Sequence, residues 1–293
     1  MKITWLIAFI QELVVSVFTG KTPFAHTLKH LNSQAPMYQW GNLGYWQGNA
    51  QYDTAAQALA DELLQSMNPI TEKDTVLVLG CGHGEELRHW SASQVAQGDT
   101  HIAIGVDIDS VAIDSARKLN PGAQFFIGGA DQFLESAKDK QQHFDLICAL
   151  DCAYHFNGRA NTWQLAYGQL APKGVLAISD LVIADGAHLG FKQTILLKFA
   201  SAVFSIPFNN WMTSQAYQQE LEDMGFEIQY SHACGNEVLD GFYDFTQGPL
   251  FEHASVPKSW MLKSKITAHL IKKLRDHSLI DYQIIQAQKI YDK

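Results

Sequence analysis

The sequence predicts an α/β protein built on a doubly wound, mainly parallel β-sheet. Short runs that are apolar throughout suit strands buried on both faces, and helical stretches separate these runs along the chain. Three glycines at every second position also join the first run to a helix, at the edge where such sheets bind ligands. The predicted strands occupy residues 75–79, 101–106, 124–127, 145–150 and 174–179, and the helices between them include residues 110–119 and 161–170.

The rest of the chain divides into a leading segment and two insertions. Residues 1–53 are interpreted as an N-terminal helical segment or lid, and residues 54–293 as one domain that opens with an amphipathic helix at 54–67. Insertions at about 183–225 and 235–278 are expected to form a helical cap near the carboxyl ends of the strands. Further helices are predicted at 191–205 and 214–224, and further strands at 226–230 and 280–289.

The composition limits the partners and the compartment. A formal net charge of −9 over 293 residues gives no electrostatic reason to bind nucleic acid, because that affinity depends on neutralising phosphates. The four cysteines include no CxxC pair and no histidine at zinc-site spacing. We therefore expect no nucleic-acid partner, no metal site, and reduced thiols in a cytoplasmic protein.

Two apolar segments raise the question of contact with a membrane. Residues 1–20 are strongly apolar, but Gln11 and Glu12 interrupt the run before it reaches the ~20 residues that span a bilayer. No small-residue cleavage site of a signal peptide follows it. The segment can pack on the domain or lie on a membrane surface. The C-terminal helical stretch, with basic residues from Lys258 to Arg275, can likewise be solvated or share in peripheral membrane contact.

The stretch VLVLGCGHGEE, residues 76–86, carries the glycine pattern GxGxG. Glycine suits a sharp turn and a close approach to a ligand at a helix N-terminus, but a plain turn between a strand and a helix would need the same residues. Asp107 ends the second strand, where a carboxylate can hold both hydroxyls of a ribose. Asp107 or Asp109 can instead cap the next helix, and Asp109 fits that role better.

Further motifs follow the glycine loop in order. LGCGHGEE, GVDID, GGADQF, FDLICALDCAYHF and LAPKGVLAISD resemble the successive motifs of class I S-adenosylmethionine-dependent methyltransferases over residues 55–180. The terminal IDYQIIQAQK resembles the last strand of that family, and the upstream NLGYW is typical of its small-molecule branch, which includes natural-product, sterol and tocopherol methyltransferases. The resemblance implies a Rossmann-like sheet with helical cap insertions, and S-adenosylmethionine as the cofactor.

The resemblance also implies which residues meet the cofactor. The glycine loop would lie beside the methionine moiety, and the acid after the second strand would hold the ribose, with the next residue against the adenine. The third motif would surround the adenine amino group, a backbone carbonyl of the fourth would meet the methionine amino group, and NLGYW would lie near the entrance. The predicted cofactor-binding residues are Gly80, Cys81, Gly82, Gly84, Asp107, Ile108, Ala130, Asp131, Leu150 and Tyr45.

Two positions depart from the family pattern. Val78 stands where an acid usually precedes the first glycine by two residues, and Gly129 stands where the third motif usually has Asp. Both changes weaken the polar frame around the cofactor, and Glu85 can compensate at the start of the helix. A regulatory protein that binds the cofactor without catalysis is therefore an alternative.

The predicted catalytic residues follow from the chemistry and from the resemblance. Methyl transfer from a sulfonium is an in-line displacement, so alignment can supply much of the catalysis, and a base is needed only if the acceptor must lose a proton. By resemblance to natural-product relatives, His155 is predicted as that base and Asp180 as the carboxylate that fixes its tautomer. Tyr154 can orient the acceptor or form part of the wall, His155 can also be a capping or core histidine, and Asp151 can cap the next helix.

Aromatic side chains near the predicted cap favour a small, apolar acceptor such as a lipid, an isoprenoid or another natural product, although aromatic residues at this spacing more often form core. A polar metabolite methylated on oxygen or nitrogen is the alternative; carboxylates on it would need clustered arginines, and only Arg159 lies near the site. The glycine spacing disfavours a nicotinamide oxidoreductase. The aromatic set is Phe156, Trp163, Phe191, Phe204, Phe208, Trp211, Phe242, Tyr243 and Phe245.

Overall fold

The computed structural model describes residues 28–32, 37–67, 70, 74–94, 102–252 and 258–290. Within these ranges, seven strands form one sheet. The strands are β1 (Thr75–Leu79), β2 (Ile102–Asp107), β3 (Gln124–Ile127), β4 (Phe144–Leu150), β5 (Leu170–Ile183), β6 (Phe226–Ala233) and β7 (Ile280–Lys289).

The helices of the described residues alternate with the strands in the first half of the chain and follow one another in the second. They are α1 (Tyr52–Leu64), α2 (Glu85–Gln94), α3 (Ser110–Leu119), α4 (Ala130–Asp139), α5 (Arg159–Gln169), α6 (Phe191–Phe204), α7 (Ser214–Met224), α8 (Gly241–Gln247), α9 (Pro249–Glu252) and α10 (Lys258–Asp276). Short 3₁₀ turns lie at Leu28–Leu31, Ala153–His155 and Phe208–Asn210, and a π-turn at Asn236–Asp240 leads into α8.

The strand order is β3-β2-β1-β4-β5-β7-β6. Strands β1 to β5 pair in parallel, whereas β7 lies antiparallel between β5 and β6. The order reverses direction between β1 and β4, which places a crevice at the carboxyl ends of these two strands. The predicted doubly wound α/β fold is confirmed.

Local sequence signals explain where two helices begin and end. The Asp109 carboxylate accepts a hydrogen bond from the Val111 N–H at 2.9 Å, so α3 begins at Ser110. Thr213 caps α7 in the same way, and Gly225, with a φ of 107°, ends it in the left-handed conformation. Both helices occupy the predicted residues.

Two hydrophobic layers cover the faces of the sheet. Buried side chains of α1, α2 and α3 pack on one face, and those of α4, α5 and α7 pack on the other. Because α7 belongs to this second layer, the segment predicted as the first insertion divides between α6 and a helix of the sheet layer. Successive side chains of a strand point to opposite faces, so along β5 Leu181 packs in the first layer and Val182 in the second.

Several predicted boundaries differ from the observed ones. Strand β5 was predicted at 174–179 but runs from Leu170 to Ile183, because Leu170 pairs with Phe144 of β4 and β7 pairs with the strand from Val175 to Ile183. Pairing with β7 also extends β6 to Ala233. The predicted helix within residues 1–20 and the predicted strand residue His101 lie outside the described residues. No helix of the described residues is both long enough and apolar enough to cross a bilayer.

Candidate active site

A cavity of about 590 Å³ opens at the carboxyl ends of β1, β2 and β4. Its walls are the loops that follow these strands, the segment of residues 39–43, and one side of α10, which contributes Ser264, Thr267 and Ile271. The volume lies within the range of small-molecule and cofactor sites. Of the residues predicted from the sequence, Gly80, Cys81, Gly82, Asp107, Ile108, Ala130, Asp131, Leu150, Tyr154 and His155 line the cavity.

The glycine loop after β1 turns in the left-handed conformation. The φ angles of Gly80 and Gly82 are 70° and 49°, which side chains larger than glycine rarely adopt. A Cβ on Gly80 would lie 2.6 Å from the Cys152 Sγ, whereas a Cβ on Gly82 would meet nothing within 4 Å. The loop thus passes close under the β4 loop and leaves open space above Gly82, on the side of the cavity.

Gly84 has a different function from the other two glycines. It does not line the cavity, and a Cβ there would lie 2.9 Å from the Asn120 side chain and 3.2 Å from Ala116 and Phe125. The assignment of Gly84 to the cofactor is therefore corrected: this glycine lets the loop pack against α3 and β3.

Asp107 connects the glycine loop to the loop after β2. Its carboxylate accepts one hydrogen bond from the Gly82 N–H and one from the Asp109 N–H, each at 2.8 Å. These two bonds fix the carboxylate at the edge of the sheet where the loops after β1 and β2 meet. Asp107 lines the cavity while Asp109 caps α3, and this division of roles is the one predicted.

Asp151 is a cavity residue that the sequence analysis did not assign to the chemistry. Its carboxylate accepts hydrogen bonds from the Leu43 N–H at 2.7 Å, the Tyr282 hydroxyl at 2.8 Å and the Tyr154 hydroxyl at 3.0 Å. Burial raises its pKa to about 7. A φ of 53° marks a strained backbone at the same residue. Asp151 thus joins β4, β7 and the segment over the cavity at one buried carboxylate.

Glu86 is a second carboxylate that the sequence analysis missed. It lines the cavity, is 6% exposed, and burial raises its pKa to about 8. The neighbouring Glu85, which was expected to compensate for Val78, instead accepts from the Gln39 N–H at 2.7 Å and pairs with Arg88 at 2.6 Å. Both acids are buried and line the cavity, and Glu85 also holds the segment over it. The signal in the sequence was the pair of acids at the start of α2.

His155 is held by the backbone. The carbonyl of Ser205 lies 3.2 Å from its Nδ1, and since a carbonyl can only accept, Nδ1 carries the proton and Nε2 is left as an acceptor. The ring packs edge-on against Tyr154, with the centroids 4.4 Å apart. Desolvation lowers the pKa of His155 to about 4, so the ring is neutral at neutral pH.

The predicted pairing of Asp180 with His155 is wrong. Asp180 is fully buried, does not line the cavity, and accepts from Arg159 at 2.8 Å and from the Tyr217 hydroxyl at 3.0 Å. Successive strand residues point to opposite faces, so Asp180 points into the layer of α5 and α7. Its contribution to the site is indirect, through Arg159 and Asn210.

Asn210 connects the buried ion pair to the loop that holds His155. Arg159 donates a second hydrogen bond to the Asn210 carbonyl at 2.8 Å. The Asn210 side-chain amide in turn donates to the carbonyls of Tyr154 at 2.9 Å and Phe156 at 2.8 Å. The backbone on both sides of His155 is therefore fixed from the far face of the sheet.

Tyr45 does not reach the cavity. Its hydroxyl donates to the Gln47 side chain at 3.1 Å, and its N–H donates to the Ala55 carbonyl at 2.7 Å. The cavity is instead lined by Asn42 and Leu43 of the same motif. The motif therefore reaches the cavity wall through Asn42 and Leu43, and its predicted contact with the cofactor stays a prediction.

Most of the predicted aromatic set forms core. Of the nine, Phe156 and Phe204 line the cavity. Trp163 and Phe242 are fully buried in the hydrophobic layers, and Phe245 stacks on Trp46 with the centroids 4.5 Å apart. The part of the chain that the structure describes places no lysine or arginine in the cavity wall. The charged side chains that these residues give to the wall are therefore acidic.

Comparisons with known proteins agree with this architecture. Residues 50–231, more than half of the chain, match the family described as "Methyltransferase domain". The erythromycin 3''-O-methyltransferase of Saccharopolyspora erythraea is 28% identical over 70% of this chain and 67% of that protein. The dimethylglycine N-methyltransferase of Parasynechococcus marenigrum is 25% identical over 61% of this chain and 64% of that protein.

Solved structures share the fold. A mycolic acid cyclopropane synthase complexed with SAH and CTAB superposes with a TM-score of 0.69 at 15% sequence identity, covering 94% of this chain and 98% of that one. At this identity the likeness shows the fold alone. The predicted Rossmann-like sheet is thereby confirmed.

Proposed function

This chain belongs to the methyltransferase domain family and depends on S-adenosylmethionine, and from that premise we propose that it methylates a hydroxyl of a small, largely apolar organic molecule. The observation that carries the proposal is the neutral His155, whose Nε2 is an acceptor in a cavity wall to which the described residues contribute no lysine or arginine. The match to the methyltransferase family confirms the predicted S-adenosylmethionine cofactor and the predicted methyltransferase activity.

The residues of the cavity fit this cofactor. Open space above Gly82 admits a ligand close to the backbone, and Asp107 offers a carboxylate for ribose hydroxyls. Ile108 is 78% exposed at the cavity and offers an apolar surface for an adenine, beside Ala130 and Asp131 at the start of α4. These residues, with Gly80, Cys81 and Leu150, are the ones we assign to cofactor binding.

The buried acids suit a positively charged cofactor. When bound, S-adenosylmethionine supplies a methyl group on a sulfonium cation. Glu86 and Asp151 lie in the cavity wall with pKa values raised by burial, and a cation nearby would favour their ionised forms. We infer that these two carboxylates take the place of the family's usual acid, which is replaced by Val78 in this chain.

His155 is assigned as the base. The Ser205 carbonyl fixes the tautomer in which Nε2 would accept the proton of an acceptor hydroxyl. The cofactor, when bound, would supply the methyl group from its sulfonium and leave as S-adenosylhomocysteine. Tyr154 is tied to Asp151 and packs on His155, so it orients the base and does not itself carry charge. Alignment within the cavity supplies the rest of the catalysis.

The wall favours an uncharged acceptor. Leu28, Leu181, Phe204 and Ile271 give it apolar surface, and Ser264 and Thr267 of α10 offer hydroxyl groups. An acceptor that carried carboxylates or phosphates would meet Glu86 and Asp151 without a compensating cation from the described residues. The erythromycin relative acts on oxygen, which supports the same choice.

N-methylation is the second candidate, because the dimethylglycine relative acts on nitrogen. The cavity acids would attract an amine, but an amine that arrives neutral needs no base, and His155 would then have no role. Binding without catalysis is the third candidate. It would leave the fixed tautomer of His155 unexplained.

The acceptor class can be tested with S-adenosylmethionine labelled on the methyl group. We expect label to pass to neutral alcohols with a large apolar body, such as a macrolide, a sterol or an isoprenoid alcohol, and not to the amines or carboxylates of the same carbon skeletons. Labelled product is separated and quantified by chromatography. The amount of S-adenosylhomocysteine released gives an independent measure of methyl transfer. Transfer of label to the amines alone would overturn the assignment of methylation to oxygen. Binding of the cofactor with no transfer of label to any of these compounds would contradict the proposed acceptor class.

A further inference from the structure

The first turns of α6 expose a row of large apolar side chains. Phe191 is 82% exposed, Ile195 51% and Phe199 50%. Residues four apart lie on one side of a helix, so the three form a continuous stripe. Leu189 before the helix and Phe208 after it are also exposed. We call these five residues the α6 face.

We propose that the α6 face docks on an anionic lipid surface. A stripe of this size on one helix is more than the scattered exposed apolar residues of an ordinary surface. Helices that lie in a membrane interface bury such a stripe at the boundary between headgroups and acyl chains.

The charge around the α6 face points to the sign of the lipid. The chain has 30 acidic and 21 basic residues, yet no Asp or Glu occurs between Asp185 and Glu220. Lys192 and Lys198 lie exposed within the helix, and the Lys198 ammonium lies 5.6 Å from the centre of the Phe208 ring. Lysines beside an apolar stripe reach anionic headgroups, and charges farther than about 10 Å from such a contact are largely screened by salt.

A second copy of the chain fits this surface less well. A two-fold contact would bring the α6 faces of both copies together, so that Lys192 and Lys198 would meet their own equivalents with no acid from this stretch to neutralise them. An anionic bilayer supplies the missing negative charge.

The same helix reaches the cavity. Phe204, the last residue of α6, lines the cavity wall, while Phe191 at the other end is exposed. If the acceptor is apolar, as proposed above, α6 would place the cavity next to the membrane in which such an acceptor dissolves. The lipid contact itself does not depend on that function.

The test is vesicle binding by the full-length protein without cofactor or acceptor. We expect cosedimentation with vesicles of phosphatidylcholine mixed with phosphatidylglycerol, weaker binding to phosphatidylcholine alone, and weakening by salt. Each large apolar side chain that leaves water is worth roughly tenfold in a partition constant. The variant F191S/I195S/F199S should therefore lose at least about tenfold in binding.

Matched variants separate this surface from general stickiness. V111S/L250S/I290S replaces three apolar side chains that are exposed elsewhere and should bind as the wild type does. K192Q/K198Q should lose the preference for phosphatidylglycerol and keep the binding to phosphatidylcholine. Circular dichroism confirms that each variant is folded.

Three results would each overturn the proposal. They are a wild type that binds neither vesicle, a triple α6 variant that binds like the wild type, and a wild-type dimer that the triple α6 variant dissociates. Because none of these measurements involves methyl transfer, their failure is distinct from failure of the proposed function.

Discussion

Replacement of Arg159 by alanine is expected to destabilise the protein by about 3–5 kcal/mol, the range for removing one partner of a buried ion pair. Arg159 is 2% exposed and Asp180 is fully buried, and the guanidinium lies 2.8 Å from the carboxylate. Without Arg159, the buried Asp180 would lose its charge partner, and Tyr217 would lose the cation 4.1 Å above its ring. The free energy of unfolding in urea at neutral pH measures the effect.

Two variants show whether the loss comes from the unpaired charge. Arg117→Ala removes an arginine from the exposed pair with Asp114 and from a hydrogen bond to the Phe125 carbonyl, and should cost only about 1–2 kcal/mol. R159M/D180L replaces both charges with apolar side chains and should recover much of the stability lost in Arg159→Ala. A cost for Arg159→Ala as small as that for Arg117→Ala would refute the structural role given to the pair.

The second large effect is expected on turnover. His155→Ala should lower kcat by roughly 10²–10⁴-fold, the usual contribution of a positioned general base. Affinity for S-adenosylhomocysteine should stay close to that of the wild type, because His155 is not among the residues assigned to cofactor binding. Since the pKa of His155 is lowered to about 4, the wild-type rate should not fall with protonation of this residue until the pH approaches that value.

His143→Ala is the matched control, because this histidine is exposed in the turn before β4. It should leave kcat and cofactor affinity unchanged. If His155→Ala turned over at the wild-type rate, methyl transfer would rest on alignment alone and the base assignment would fail. A loss of cofactor affinity without a loss of kcat would assign His155 to binding.

The strand pattern allowed much of the fold to be predicted. Strands β1, β3 and β7 occupy the predicted residues. Of these, β1 is the buried parallel strand that reads as an apolar run. The helix α3 was predictable from its cap at Asp109. The position of Asp107 was predictable because the apolar run of β2 ends there. Elements with a local signal were therefore placed correctly.

The errors at the site have two physical causes. Asp180 was placed by its position along β5, but strand periodicity puts it on the face of Ile178 and Val182, away from the cavity. Asp151 depends on contacts from Leu43 and Tyr282, which are distant in sequence, and on a left-handed backbone that its residue type does not specify. Tyr45 lies in irregular backbone, where no period indicates which side chain points inward.

The central claim is that the cavity beside Asp107 holds the cofactor. Calorimetric titration with S-adenosylhomocysteine tests it, using the wild type with the neighbouring variants Asp107→Ala and Asp109→Ala. We predict one site per chain in the wild type and a loss of roughly 10–100-fold in affinity for Asp107→Ala, as expected for removal of a charged hydrogen-bonding group. Asp109→Ala should bind nearly as the wild type, because Asp109 caps α3. Absence of binding in the wild type, or equal binding by Asp107→Ala, would contradict the account.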